Sequence, residues 1–233
     1  MSTPSDVGGA GEHALVDLIR RRIPPAPPWV VVGVGDDAPV VEPARNALDV
    51  YTTDALVDGV HFARAFTPPS AIGHRALAVN LSDLAAMGAA PRAALLSLAL
   101  PPDFPYADVE ALLDGLLALA GRHHVSLVGG NVTRTPGPLM VDVTAIGSVH
   151  RRRVLTRAGA RPGDEVWVSG AVGAAAAGLA ALAAGPGKDP PPGFEACTAA
   201  YLRPEPRVRL GTLLGRNRAA TACIDLRDRK SVV

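Results

Sequence analysis

The sequence predicts a mixed α/β (or α+β) protein: an N-terminal mixed β-sheet flanked by helices, then the start of a second α/β domain. Three observations lead there. Strand-length apolar runs and helix-period segments are interspersed along the chain rather than segregated. Apolar residues make up 48 % of the 233 residues, enough for a sizeable core. Much of that fraction is alanine and valine, and only 4 % of the chain is aromatic, which favours close packing of helices on a sheet.

Each element follows from local pattern. Residues 10–23 carry Leu15, Leu18 and Ile19 at helical spacing, and IPPAPPW then breaks the helix. A short buried strand is expected over 30–34 and another over 48–53. From Ser70, SAIGHRALAVNLSDLAAMGA reads as a helix with Ile72, Ala76, Val79, Asn80, Asp83 and Met87 on one broad face. A strand over 93–100, an amphipathic helix over 106–123 and a strand over 125–128 that runs into Gly129 and Gly130 come next. A longer strand with partial alternation is expected over 139–149. The pattern then restarts. GARPGDEVWVSG predicts a turn into a strand over 165–169, followed by an alanine-rich helix, the loop GPGKDPPPG, the segment 197–202 and a helix over 208–214. The expected boundary lies near residue 150, dividing an N-terminal domain (1–150) from the beginning of a C-terminal one (151–233). No internal repeat is evident.

Composition excludes several functions. The net charge of +1 offers no global attraction for nucleic acid or a membrane surface. Cys197 and Cys223 are the two cysteines and form no CxxC pair, which argues against a zinc site and fits a reducing compartment. The N-terminus lacks a basic start and an apolar run, so no signal peptide is read, and no apolar stretch is long enough to span a bilayer. A soluble, cytoplasmic protein is expected.

The stretch VVVGVGDDAPVV, residues 30–41, poses the functional question. Gly33, Gly35 and Ala38 match one form of the dinucleotide fingerprint. That loop should open into a helix whose N-terminus meets the pyrophosphate. Here Pro39 and two valines continue as an extended segment, and Asp36 and Asp37 would repel a phosphate. A metal loop or a plain tight turn remain. Asp54, straight after a strand, and Asp83, among core-type residues, favour the metal. Two like charges about 4 Å apart repel by roughly 4 kcal/mol at an effective dielectric of 20, so converging aspartates need a cation or protons. Oxygen donors without histidine or thiolate clusters point to a hard ion, magnesium first. Thr52 and Thr53 read either as ordinary strand residues or as further oxygen donors. His61 reads as a packing histidine or a ligand contact, Gly129–Asn131 as a turn or a ligand-binding strand end, and Arg157 as surface or anion contact. No Walker A pattern or GxSxG elbow is present.

The motifs GVGDDAPV, TTDALVDGVHF, ALAVNLSDLAAMGAAPR, LVGGNVTR, LTRAGARPGDEVWVSG, YLRPEPR and ACIDL occur in an order that closely resembles the thiamine-monophosphate kinases, of the aminoimidazole-ribonucleotide-synthetase-like superfamily. The resemblance runs from about Gly11 to Leu226. It implies transfer of a phosphoryl group from ATP to thiamine monophosphate, giving thiamine diphosphate, with Mg2+ bridging the phosphates. By motif match it implies Asp37, Thr52, Thr53, Asp54, Asp83, Asn131 and Asp225 as metal ligands. It implies His61 as a contact to thiamine monophosphate and Gly130, Asn131 and Arg157 as contacts to ATP. No covalent or general-base residue is implied, and a homodimer with paired N-terminal sheets is. The rivals are another enzyme of the superfamily and a non-catalytic fragment that binds Mg-ATP. The absence of an N-terminal reactive cysteine or lysine motif counts against a selenophosphate synthetase.

Two departures stand out. The family commonly has GGD where this chain has GGN, so Asn131 keeps an oxygen donor without its charge. The family's IDLSDGL is replaced by IDLRDRKSVV. DRKSVV is what the adapter-like stretch GATCGGAAGAGCGTCGTG encodes, so residues 227–233 are expected to be non-native and the native C-terminal domain truncated. Apolar surface left without a partner between residues 166 and 214 is then expected.

Overall fold

A computed structural model describes residues 6–185 and 190–226. The elements in chain order are α1 (Val7–Arg22), β1 (Val30–Val32), β2 (Val40–Val41), β3 (Leu48–Val57), α2 (Pro69–Ala86), β4 (Ala90–Leu100), α3 (Tyr106–Arg122), β5 (Ser126–Arg134), β6 (Met140–Val149), α4 (Ala174–Ala184), α5 (Glu195–Leu202) and α6 (Val208–Asn217). Four strands form one sheet in the order β3-β6-β4-β5. The β3/β6 and β6/β4 pairs are antiparallel and β4/β5 is parallel, so the sheet is mixed as expected. β1 and β2 make a separate two-stranded ribbon.

The alternation of β6 decides which face is covered. Val141, Val143, Ala145 and Val149 are buried, whereas Met140, Asp142, Thr144, Ile146 and Ser148 between them are half-buried. The first set faces α2 and α3, which pack on one side of the sheet. The second faces away from them. On β3 the same rule places Thr52, Asp54 and Leu56 toward α2, and Tyr51 and Thr53 on the opposite face.

Helix α2 is enclosed for most of its circumference. Ile72, Ala76, Leu77, Leu81 and Leu84 are all at most 1 % exposed. Two glycines set its distance from α3. A Cβ at Gly73 would collide with the Leu112 carbonyl oxygen, and one at Gly115 with the Ser70 carbonyl oxygen. The two backbones therefore touch, each glycine seated on the other helix. At the far end of α2, Gly211 of α6 lies against the Ala85 carbonyl in the same way.

Several boundaries move. α1 begins three residues early, with Asp6 capping Gly9 N at 2.9 Å, and is kinked at Gly11 (φ 71°). β3 runs four residues past Thr53. β5 does not stop at Val128 but continues through both glycines to Arg134, because β4 offers it a full-length neighbour. The strand expected over 30–34 is neither long nor buried: β1 pairs only with β2, and Val31 is 62 % exposed. The strand expected over 165–169 is absent. Its alternation is strand-like, but among the described residues no strand pairs with it, and an unpaired strand leaves its backbone groups to water. Val166 and Trp167 are 93 % and 85 % exposed. Residues 227–233 lie outside the described residues.

Gly73→Ala and Gly115→Ala should each destabilise the chain by about 3 kcal/mol or more, since backbone rather than a pliable side chain must move. Gly121→Ala, where a Cβ meets nothing within 4 Å, should instead stabilise by roughly 0.5–1 kcal/mol. Urea denaturation of the three variants checks both. Val166→Ser/Trp167→Ser should lower binding of an apolar fluorescent dye and slow aggregation, read by light scattering.

Candidate functional site

The glycine loop comes first. It ends in β2 rather than in a helix, so no helix N-terminus is available to a pyrophosphate. Gly35 takes φ 120°, and Arg20 of α1 holds its guanidinium beside the place a Cβ would occupy. Pro39 lies over Gly129 of β5, where a Cβ would meet its ring at 3.2 Å. Asp36 and Asp37 are therefore exposed on a loop set against the uncovered side of the sheet, above β5. Asp36 accepts a hydrogen bond from Asp37 N at 2.9 Å.

A second group forms where β3 meets α2. The Thr52 hydroxyl donates to Asp83 Oδ2 at 2.6 Å, joining strand and helix. Asp54 lies two residues further along β3 on the same face. In a row otherwise made of Leu48, Val50 and Leu56, Thr52 and Asp54 are the polar interruption, and Asp83 is the acid that meets it. One helical turn before Asp83, the fully buried Asn80 donates through Nδ2 to the Ala76 carbonyl at 2.9 Å, while its Oδ1 has no partner among the described residues.

Thr53 belongs to neither group. It faces the other side of β3, donates to Asp142 Oδ1 at 3.0 Å and lies 3.1 Å from Thr144 Oγ1. Asp142 and Thr144 escaped the motif-based reading. The signal was present in MVDVTAIGSV, where Asp142, Thr144 and Ser148 share the alternate positions of a strand whose other side chains are apolar.

Gly130 and Asn131 sit in mid-strand. Gly130 has φ 152°, and a Cβ there would strike the Leu96 carbonyl. This accompanies a register shift between Ala94 and Leu95 in the β4/β5 pairing. Asn131 is exposed and pairs with Ser97, which in turn pairs with Asp142. The β5 group (Asp37, Gly130, Asn131) and the β3 group (Thr52, Asp54, Asp83) are thus separated by β6 and β4, about 14 Å at the usual strand spacing.

The second half of the chain attaches at the end of α2. Leu155 N donates to the Met87 carbonyl at 3.2 Å, and Cys223 N to the Thr156 carbonyl at 3.0 Å. Gly159 is packed against the Thr221 carbonyl. Thr221 Oγ1 and Arg161 N both donate to Asp164, at 2.7 and 3.0 Å, which lowers the Asp164 pKa. Burial pushes the Cys223 thiol up, and the charge of Asp225 adds to this. The arrangement runs the segment before Arg157 alongside the one before Asp225 and ties them to the helix end that carries Asp83. Arg157 is exposed in a short 3-10 turn. His61 is exposed after β3. Its Nδ1 accepts from Val57 N at 3.1 Å, which places the ring proton on Nε2 as an outward donor.

Chemically, the donors are hydroxyl, carboxylate and amide oxygens, which suits a hard cation. Among the described residues no three His, Cys, Asp or Glu side chains converge on one point. These side chains therefore do not by themselves form a protein cage for an ion. The unpartnered Asn80 Oδ1 beside Asp83 also suits a site that takes up a further donor.

Comparison with known proteins agrees with this architecture. The description "AIR synthase related protein, N-terminal domain" matches residues 35–149. Over 189 residues the chain is 37 % identical to a thiamine-monophosphate kinase of Bacillus subtilis, covering 79 % of this chain and 57 % of the relative. It superposes on the thiamine-monophosphate kinase of Stenotrophomonas maltophilia with a TM-score of 0.75 at 41 % identity, covering 87 % of this chain and 64 % of that one. AaThiL, solved in complex with AMPPCP and TMP, gives a TM-score of 0.69 at 32 % identity, covering 92 % and 66 %. The chain spans about three fifths of the length of the curated relatives it matches. Hydrogenase maturation protein HypE in complex with ATP shares the fold at 22 % identity and a TM-score of 0.60. No helix among the described residues is long and apolar enough to cross a membrane.

The segment RPEPR fastens the second half to α2 and α3. Arg203 donates to Ser70 Oγ at 2.9 Å, and Arg122 pairs with Glu205 at 3.1 Å. His74 Nε2 donates to the Pro204 carbonyl at 2.9 Å. His74 is 4 % exposed, and burial holds its pKa below the ordinary value of 6.5; burial does the same for His123. His123 Nε2 stands 3.8 Å from Glu205, too far for a hydrogen bond. A depressed histidine pKa means that the unfolded chain binds more protons below pH 6.5, so this stability is complete above that value and is lost as the pH falls. Thermal unfolding between pH 7 and 5.5 should show a falling midpoint, and His74→Gln should flatten that slope.

Proposed function

We propose that this chain acts in the ATP-dependent phosphorylation of thiamine monophosphate to thiamine diphosphate, as a magnesium-dependent phosphotransferase. The observation that carries the reading is the Thr52–Asp83 contact with Asp54 beside it, in a chain similar to thiamine-monophosphate kinases over most of its length. The similarity of AaThiL, which was crystallised with AMPPCP and TMP, supports the choice of substrates.

In this reading Asp37, Thr52, Thr53, Asp54, Asp83, Asn131 and Asp225 hold magnesium. When bound, magnesium offsets the charge on the phosphate oxygens. Gly130 lets the β5 backbone come close to ATP, Asn131 donates to it, and Arg157 meets its phosphates. His61 offers Nε2–H to thiamine monophosphate. The bond between the γ-phosphorus and the β,γ-bridging oxygen of ATP breaks as a phosphate oxygen of thiamine monophosphate bonds to that phosphorus, and ADP leaves. The attacking oxygen is already anionic, so no protein nucleophile or strong base is needed. The residues position the reactants in line.

We also propose a homodimer in which the uncovered sheet faces meet, which would bring one copy's Asp37 and Asn131 toward the other's Thr53 on that same face. We assign residues 1–150 as the ATP- and magnesium-binding domain and 151–233 as the beginning of a second. Two free cysteines fit a cytoplasmic setting.

A coupled assay of ADP release should show turnover that requires both thiamine monophosphate and magnesium, and Asp83→Asn should lower kcat at least about 100-fold. ADP release independent of thiamine monophosphate would overturn the kinase reading in favour of a nucleotide-binding role. Asn131→Asp should lower the magnesium concentration needed for half-maximal rate, since it restores a charge among the oxygen donors.

A further inference from the structure

We infer that Asp142 is a positioning residue for Thr53, fixing its hydroxyl so that the oxygen faces a cation; this rests on the reading of Thr53 as a metal ligand. The geometry is a polar chain across two strands. Thr53 Oγ1 donates to Asp142 Oδ1 at 3.0 Å and stands 3.1 Å from Thr144 Oγ1. Thr53 and Thr144 are register partners, and Asp142 pairs with Ala55 on the same face. A threonine hydroxyl has one proton and two lone pairs. With the proton given to Asp142, the contact with Thr144 is one in which Thr53 accepts. One lone pair then remains, and its direction is set by the two bonds already made. The β-branched side chain has little χ1 freedom with which to escape.

Two consequences favour a cation. A hydroxyl that donates to a carboxylate carries more negative charge on its oxygen, and such outer partners raise the affinity of the ligand they hold. Asp142 also brings a formal charge. In the row Ala55, Asp142, Ser97, Asn131 that crosses the sheet, Asp142 is the charged member. Aspartate is disfavoured in strands, and on β6 Asp142 shares the uncovered face with Met140, Thr144 and Ile146. A role in the sheet's own packing does not account for it.

The test uses Mn2+ as the probe on the full chain, with free ion read by electron paramagnetic resonance, and Mg2+ calorimetry beside it. Asp142→Asn should weaken Mn2+ binding about 10-fold and leave the metal-free melting temperature unchanged. Thr53→Val should weaken it at least as much. In the double variant the two losses should fall well short of multiplying, because Asp142 acts chiefly through the hydroxyl. Asp142→Glu should recover most of the affinity. Wild-type affinity in Asp142→Asn, with Thr53→Val impaired, would overturn the inference alone, as would losses that multiply in the double variant. A change in sedimentation without a change in Mn2+ affinity would assign Asp142 to a contact between copies and overturn it too. Unaltered binding in Thr53→Val, or none by the wild type, would remove the ligand reading itself.

Discussion

The enclosure of α2 is the constraint on which the rest of the molecule depends. The sheet lies on one side of it, α3 on another, α6 against its C-terminal end, and the RPEPR segment across His74. Small residues make this possible, since only glycine lets α3 and α6 come down to backbone contact. A helix held from so many directions has no freedom to adjust a side chain by shifting its axis. The polar groups it carries have to be met where they stand, and among the described residues Asn80 Oδ1 and Arg75 Nη1 are not. Arg75 is met by the ring of Tyr201 at 4.2 Å and by the His61 carbonyl, and Asp83 by Thr52.

The same rigidity links packing to chemistry. Asp83 is presented to β3 from a helix that cannot tilt, and Met87, one turn later, receives Leu155 and with it the segment bearing Arg157 and Asp225. The His61 loop is tied to Arg75 on the same helix. One element therefore gathers candidate groups from three distant parts of the chain. The β5 group has a different support: Pro39 on Gly129, and Arg20 on Gly35. These two frameworks face opposite sides and opposite edges of one sheet, which is why the aspartates read together in the sequence do not form one cage.

Helical periodicity was most legible where burial is one-sided or complete, as in α2 and α3, and the strands β4 and β6 were read to within a few residues. The failures share a cause. Residues 165–169 have the composition of a strand, but pairing is a property of the neighbour, and the letters do not contain it. Gly129 and Gly130 look like a stop, yet a strand tolerates them where a register shift needs a positive φ and a bare backbone. Thr52 and Thr53 read as one motif. The period of two in a strand sends them to opposite faces, and only the position of α2 tells which face is which.

The sequence alone determined the class of fold and the enclosed helix, because periodicity is local; it read Asp54 as lying just past a strand, whereas β3 continues to Val57 and carries it in mid-strand. Tertiary structure decided which donors meet. It joined Thr52 to Asp83, Thr53 to Asp142, and Arg157 to the segment of Asp225. It also kept Asp37 and Asn131 three strand spacings away from β3. Those outcomes follow from strand order and helix seating, which depend on contacts between residues far apart in the chain and so cannot be read one segment at a time.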